Sequence, residues 1–143
     1  MRVKVKKLQE NAKLPAYGSE FAAGADLYAA EAAEIPAGET RFIHTGIAVE
    51  LPFGTVGLVY ARSGLASKQD LAPANKVGVI DCDYRGEIIV ALHNHGKETR
   101  TIAQGDRIAQ FVIAPYYTAE FSEADKLSET ARGEGGFGST GRK

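Results

Sequence analysis

The sequence predicts an all-β sandwich or barrel with one short helix, on three observations. Apolar residues recur with a period of two over strand-length segments. Glycine, proline and aspartate punctuate those segments. Only one stretch, SGLASKQ after Arg62, reads as a helix.

In chain order, AGADLYA (23–29) puts an isolated carboxylate, Asp26, between small residues where a turn enters a strand. ETRFIHTGIAVELP then sets Ile43, Thr45, Ile47, Val49 and Leu51 on one face. PFGT (52–55) joins it to TVGLVYA, where Val56, Leu58 and Tyr60 alternate with smaller residues. The short helix follows, with Ser63 placed as its N-cap. NKVGVID brings Val77 and Val79 to one face, expected to be buried, with Asp81 in line. CDYRGE (82–87) reads as a hairpin tip leading into the nearly continuous apolar run EIIVALHNHG. TRTIAQ and RIAQFVIAP flank a Gly105-Asp106 turn that reads as one more hairpin with Arg107 exposed. There is no internal repeat, and residues 1–131 read as one β domain. From about Arg132 onward the chain is Gly-rich, and 132–143 reads as a mobile tail.

At 143 residues the chain suits one domain with a real core. A net charge of −1 argues against a nucleic-acid coat or an anionic membrane surface as partner. One cysteine, Cys82, excludes an internal disulfide framework and disfavours a cysteine-based zinc site. His44, His93 and His95 lack metal-ligand spacing, although His93 and His95 share one side of a strand end. MRVKVKKLQE has no apolar core for a signal peptide, and a cytoplasmic protein is the default expectation.

Four clusters remain that suit chemistry. Arg62 and Ser63 stand at a strand-to-helix junction, where an N-cap with a solvated arginine is the common arrangement and a phosphate site at the helix N-terminus the functional one, a weak signal by itself. Asp81, Asp83, Tyr84 and Arg85 crowd a turn, and an inward-facing Asp81 would be costly unless paired or used. GDRIAQ carries Arg107 and Gln110. The tail RGEGGFGSTGRK satisfies GxGxxG but neither follows a strand nor opens a helix, and Ser139 stands where a phosphate loop needs lysine. Its glycine amides, Arg132, Ser139 and Thr140 still suit an anion, and Phe137 suits stacking on a base.

AGADLYA, ARSGLA, NKVGVIDCDYRG, GDRIAQ and RGEGGFGSTG, in this order, resemble the five motifs of the homotrimeric dUTP pyrophosphatase (dUTPase) family, from about Lys7 to Gly141. The resemblance implies a jelly-roll-like β fold. It also implies a homotrimer whose three active sites lie between subunits, each closed by a third chain's C-terminal tail. The implied reaction is hydrolysis of dUTP to dUMP and pyrophosphate by water attack on the α-phosphate. That limits uracil incorporation into DNA and supplies dUMP for dTMP synthesis. Asp81 would be the general base. Mg²⁺ would bridge the phosphates, reached by Asp26 through water. Arg62, Ser63, Gly64 and Gln110 would line the phosphate chain, and Arg132, Gly138, Ser139 and Thr140 would close over it. Phe137 would stack on uracil, which Asn75, Lys76, Gly78 and Ile89 would read, while Tyr84 would exclude a 2′-hydroxyl.

Two residues depart from the family pattern. Ala61 replaces a proline, and Asp70 replaces a glycine after the helix, where aspartate tolerates the left-handed conformation. The related dCTP deaminases carry a catalytic glutamate where this chain has Ala91. A non-catalytic nucleotide sensor on the same scaffold would be expected to lack Asp81 or the tail, and both are present. Removing residues 132–143 is expected to cripple turnover and leave the trimer assembled, as read by pyrophosphate release beside sedimentation.

Overall fold

The computed structural model describes residues 1–136. The strands, in chain order, are β1 Lys4–Lys7, β2 Ala16–Tyr17, β3 Ala25–Tyr28, β4 Ala33–Ile35, β5 Thr40–Glu50 and β6 Thr55–Tyr60, followed by helix α1 Ser63–Gln69. After it come β7 Leu71–Pro73, β8 Gly78–Ile80, β9 Glu87–Asn94, β10 Arg100–Ile102 and β11 Arg107–Pro115. They form antiparallel sheets ordered β1-β5-β9-β7 and β2-β3-β11-β6-β8, with β4 and β10 as a two-stranded ribbon. The all-β expectation with one short helix holds.

Leu27, Ile35, Ile43, Ile47, Leu71, Ile88, Leu92 and Ile108 are fully buried. The predicted inner face of β5 is the observed one, from Ile43 to Leu51. Simple alternation fails after His44, because the register against β9 slips between His44 and Ala48. Gly46 makes the irregularity possible: its φ is +68°, and an added Cβ would lie 2.8 Å from that of Ala12. The Glu87 carboxylate fastens it, accepting the Gly46 N–H at 2.7 Å and contacting His44 Nδ1 at 2.8 Å.

On β6 Val59 is buried and Tyr60 is exposed, with the Phe111 ring filling the place a Gly57 Cβ would take. Two expectations change. Val79 is 61% exposed and Asp81 is exposed with it, so the β8 face read as buried is the outer one and Gly78 points inward. Second, the two predicted hairpins, CDYRGE from β8 to β9 and the Gly105 turn from β10 to β11, are crossovers between different sheets, as is the PFGT connection from β5 to β6. A strand's sheet is chosen by which apolar face must be covered, and neighbouring residues in sequence do not reveal that.

Helix α1 begins at Ser63, with Arg62 extended at the N-cap and no side-chain capping bond, so the expected Ser63 cap is not formed. The helix stops at Asp70, which adopts the left-handed conformation (φ 57°, ψ 24°) and donates its N–H to Leu65 O.

Asn94 is completely buried. Its amide donates to Ile35 O and Glu98 O, both at 2.8 Å, and its Oδ1 accepts the Gly96 N–H at 2.9 Å. Asn94→Ala strands three backbone groups and is expected to cost about 3 kcal/mol, read as a lower urea midpoint. The hydrogen bond to Glu87 raises the pKa of His44 above 6.5, assisted by the charges of Glu87 and Glu31 and opposed by burial. A raised value means that the folded state holds this proton more tightly. The pair's contribution is therefore complete below the ordinary histidine pKa and fades as pH rises through the raised one. As pH rises above the ordinary histidine pKa, stability is expected to fall more in the native chain than in His44→Ala, as checked by denaturation at each pH.

Candidate active site

Two groups of predicted site residues come together. The first lies on the outer face of the second sheet, around Asp26. Gln110 on β11 pairs directly with Asp26 on β3 and with Tyr60 on β6. The register against β3 shifts between Arg107 and Ala109. Ile108 and Ala109 are consequently both fully buried, and Arg107 and Gln110, three apart, face outward together.

Asp26 is only 4% exposed. Its Oδ1 accepts Arg62 Nε at 2.8 Å and its Oδ2 accepts Arg107 Nη1 at 3.2 Å. Arg62 Nη1 also donates to the main-chain oxygen of Arg107 at 3.3 Å. Asp26 is thus the buried anchor of two arginines rather than a turn residue, and Arg107 is bound rather than a free surface charge. Ser63 and Gly64 follow directly as the first helical residues, and nothing crowds a Cβ at Gly64.

The second group lines a cleft beside β8 and β9. One part, about 190 Å³, is bounded by Val79, Ile80, Asp81, Tyr84, Glu87 and Ile89. The adjoining part, about 290 Å³, shares Val79, Ile80 and Ile89 and adds Asn75, Gly78 and Ala91. Gly78 is needed there: a Cβ would lie 3.1 Å from that of Val59 and 3.5 Å from Asn75 Nδ2. Lys76 shapes the approach with φ +64°, its N–H bonded to Pro73 O at 3.0 Å. Tyr84 is fastened at both ends, its N–H on Asp81 O at 3.1 Å and its hydroxyl on Glu87 O at 3.0 Å.

Among the described residues no hydrogen bond joins the two groups. Arg132 belongs to neither: it lies in an exposed turn, with Nε donating to Gly135 O at 2.8 Å. Phe137, Gly138, Ser139 and Thr140 lie outside the described residues. His93 and His95 do share a side, with ring centroids 4.4 Å apart. Among the described residues no three His, Cys, Asp or Glu side chains form a metal cage. A cation here would therefore depend on ligand oxygens and water, the coordination that Mg²⁺ favours. Asp26 suits a water-mediated part in this, since each carboxylate oxygen keeps a lone pair beyond its arginine bond.

Sequence reasoning missed Arg107 and Glu87 as organisers. Arg107 reads as a turn residue until the β11 irregularity turns it toward Asp26. Glu87 reads as a strand end until the slip in β5 presents the Gly46 N–H to it.

A dUTPase family model matches residues 10–141. A deoxyuridine 5′-triphosphate nucleotidohydrolase of Crocosphaera subtropica is 48% identical, with 99% of each chain covered. One from Desulfitobacterium hafniense is 57% identical over 90% of this chain and 87% of its own. Among solved structures, a Staphylococcus bacteriophage 80alpha dUTPase mutant with dUpNHpp superposes with a TM-score of 0.91 at 31% identity, covering 98% of each chain. A mutant dUTPase from phage phi11 of S. aureus, described with a structural Mg(II) ion, superposes at 0.82 and 29% identity over 89% of this chain and 99% of its own. With a family model matching residues 10–141 and relatives about half identical along its length, the chain belongs to the dUTPase family.

Proposed function

We propose that this protein hydrolyses dUTP to dUMP and pyrophosphate, and that Asp81 is its general base. The observation that carries the reading is the cleft in which Asp81 and Tyr84 stand at one end and Asn75 and Gly78 at the other. That arrangement sets a carboxylate beside a space of pyrimidine size. Asp81 takes a proton from the water that attacks the α-phosphorus, and the electron pair of the breaking bond leaves with pyrophosphate. Main-chain groups from Gly78 to Ile89 read uracil, with Asn75 and Lys76 at the mouth. Cytosine would leave buried groups unpaired at its 4-position. Tyr84, held at both ends, is the residue that would lie against the deoxyribose and exclude a 2′-hydroxyl. Ala91 stands in the cleft where the related deaminases carry their catalytic glutamate, which disfavours deamination.

Arg62, Ser63, Gly64 and Gln110 bind the phosphate chain, with Asp26 reaching Mg²⁺ through water. Bound Mg²⁺ supplies charge neutralisation across the phosphates. The two groups of residues complete one another between subunits of a homotrimer. Their separation within one chain supports this, as do Phe42 (71% exposed), Val79 and Ile89 on one outer face beside the cleft. The segment after β11 points the same way: Tyr117, Phe121 and Leu127 are almost wholly exposed on a single chain, as expected of an arm that packs on a neighbour. Arg132, Phe137, Gly138, Ser139 and Thr140 then close that neighbour's site.

The test is pyrophosphate release with Mg²⁺ from dUTP, beside dCTP, dTTP and UTP at equal concentration. Release from dUTP alone is expected, and equal release from UTP would overturn the sugar filter. In Asp81→Asn, turnover should fall by about a hundredfold or more while dUTP still binds; retained turnover would remove Asp81 from the base role.

A further inference from the structure

We propose that Arg107 is a positioning residue for the phosphate chain, acting through Asp26 to aim Arg62. The inference rests on the dUTPase reading and concerns how its phosphate subsite is held rigid.

Arg62 has two fixed acceptors. Its Nε donates to Asp26 Oδ1 at 2.8 Å and its Nη1 to the main-chain oxygen of Arg107 at 3.3 Å. Its Nη2 has no partner in the chain among the described residues and is the atom left to meet an anion. The direction of that atom depends on the plane of the Asp26 carboxylate. Arg107 sets that plane by holding the other oxygen, with Nη1 at 3.2 Å from Oδ2. Arg107 thus touches Arg62 twice, once through its backbone and once through a shared carboxylate.

Charge points the same way. One carboxylate between two guanidiniums leaves the cluster one positive charge in excess, on a carboxylate that is 4% exposed. A single arginine would neutralise Asp26. The second makes the pair net cationic and removes the freedom of the carboxylate to rotate, so less order is lost when a polyanion arrives. The Arg107 side chain is half exposed, against 23% for Arg62, which suits a brace at the rim of the subsite.

The experiment compares Arg107→Gln, Arg107→Lys, Arg62→Gln and the Arg62→Gln/Arg107→Gln double variant in the full-length protein. Calorimetry reads binding of α,β-imido-dUTP and of deoxyuridine, which has no phosphate. Arg107→Gln should weaken the triphosphate analogue about tenfold and leave deoxyuridine unchanged. Arg107→Lys, which keeps one charged donor for Asp26, should recover part of the loss. The double variant should bind no worse than Arg62→Gln, because the brace has nothing left to aim. Analogue binding by Arg107→Gln equal to the native protein would overturn the proposal. So would losses that multiply in the double variant, which would give Arg107 an independent role. An equal weakening of deoxyuridine would reduce it to a folding residue. Native protein that fails to bind the analogue or to hydrolyse dUTP would instead remove the dUTPase reading, and this inference with it.

Discussion

Asp26 is the constraint around which the arginine cluster of the molecule is organised. A carboxylate so enclosed is tolerable only when its charge is answered at hydrogen-bond distance. Two arginines answer it from elements far apart in sequence, one at the end of β6 and one at the start of β11. For both to arrive, β3 and β6 must flank β11 in the same sheet. β11 must also carry its irregularity at Ile108, so that Arg107 and Gln110 face the same way. The crossing of the chain between sheets, the burial of Ile108 and Ala109, and the start of α1 after Arg62 all meet at this one ion cluster.

Glu87 has a comparable part on the cleft side. It fastens the β5 irregularity through Gly46 and His44, its main-chain oxygen holds the Tyr84 hydroxyl, and it lines the same space as Asp81. Each carboxylate therefore pins a place where a strand departs from regular pairing. A regular strand could not supply such places, because strict alternation sends neighbouring functional groups to opposite faces.

The division of the site into two groups has a physical reading. The arginine cluster and the cleft are built on different parts of the fold, and each is held by its own hydrogen bonds. A ligand that needs both must span two surfaces, and identical subunits provide such pairs at every contact when arranged about a symmetry axis.

The sequence by itself determined the fold class, the single helix, the inner face of β5 and the left-handed Asp70, because these depend on local period and local backbone preference. Its five ordered motifs also made the family legible, since motif order survives without knowledge of any contact. Which strands share a sheet was decided only by the tertiary contacts, which turned two apparent hairpins into crossovers. They also turned the β8 face outward, exposed Asp81, and made Arg107 the partner of Asp26. The reason is the same in each case. A period of two states which residues lie on one side of a strand. Which side is buried depends on what packs against it, and that partner lies tens of residues away.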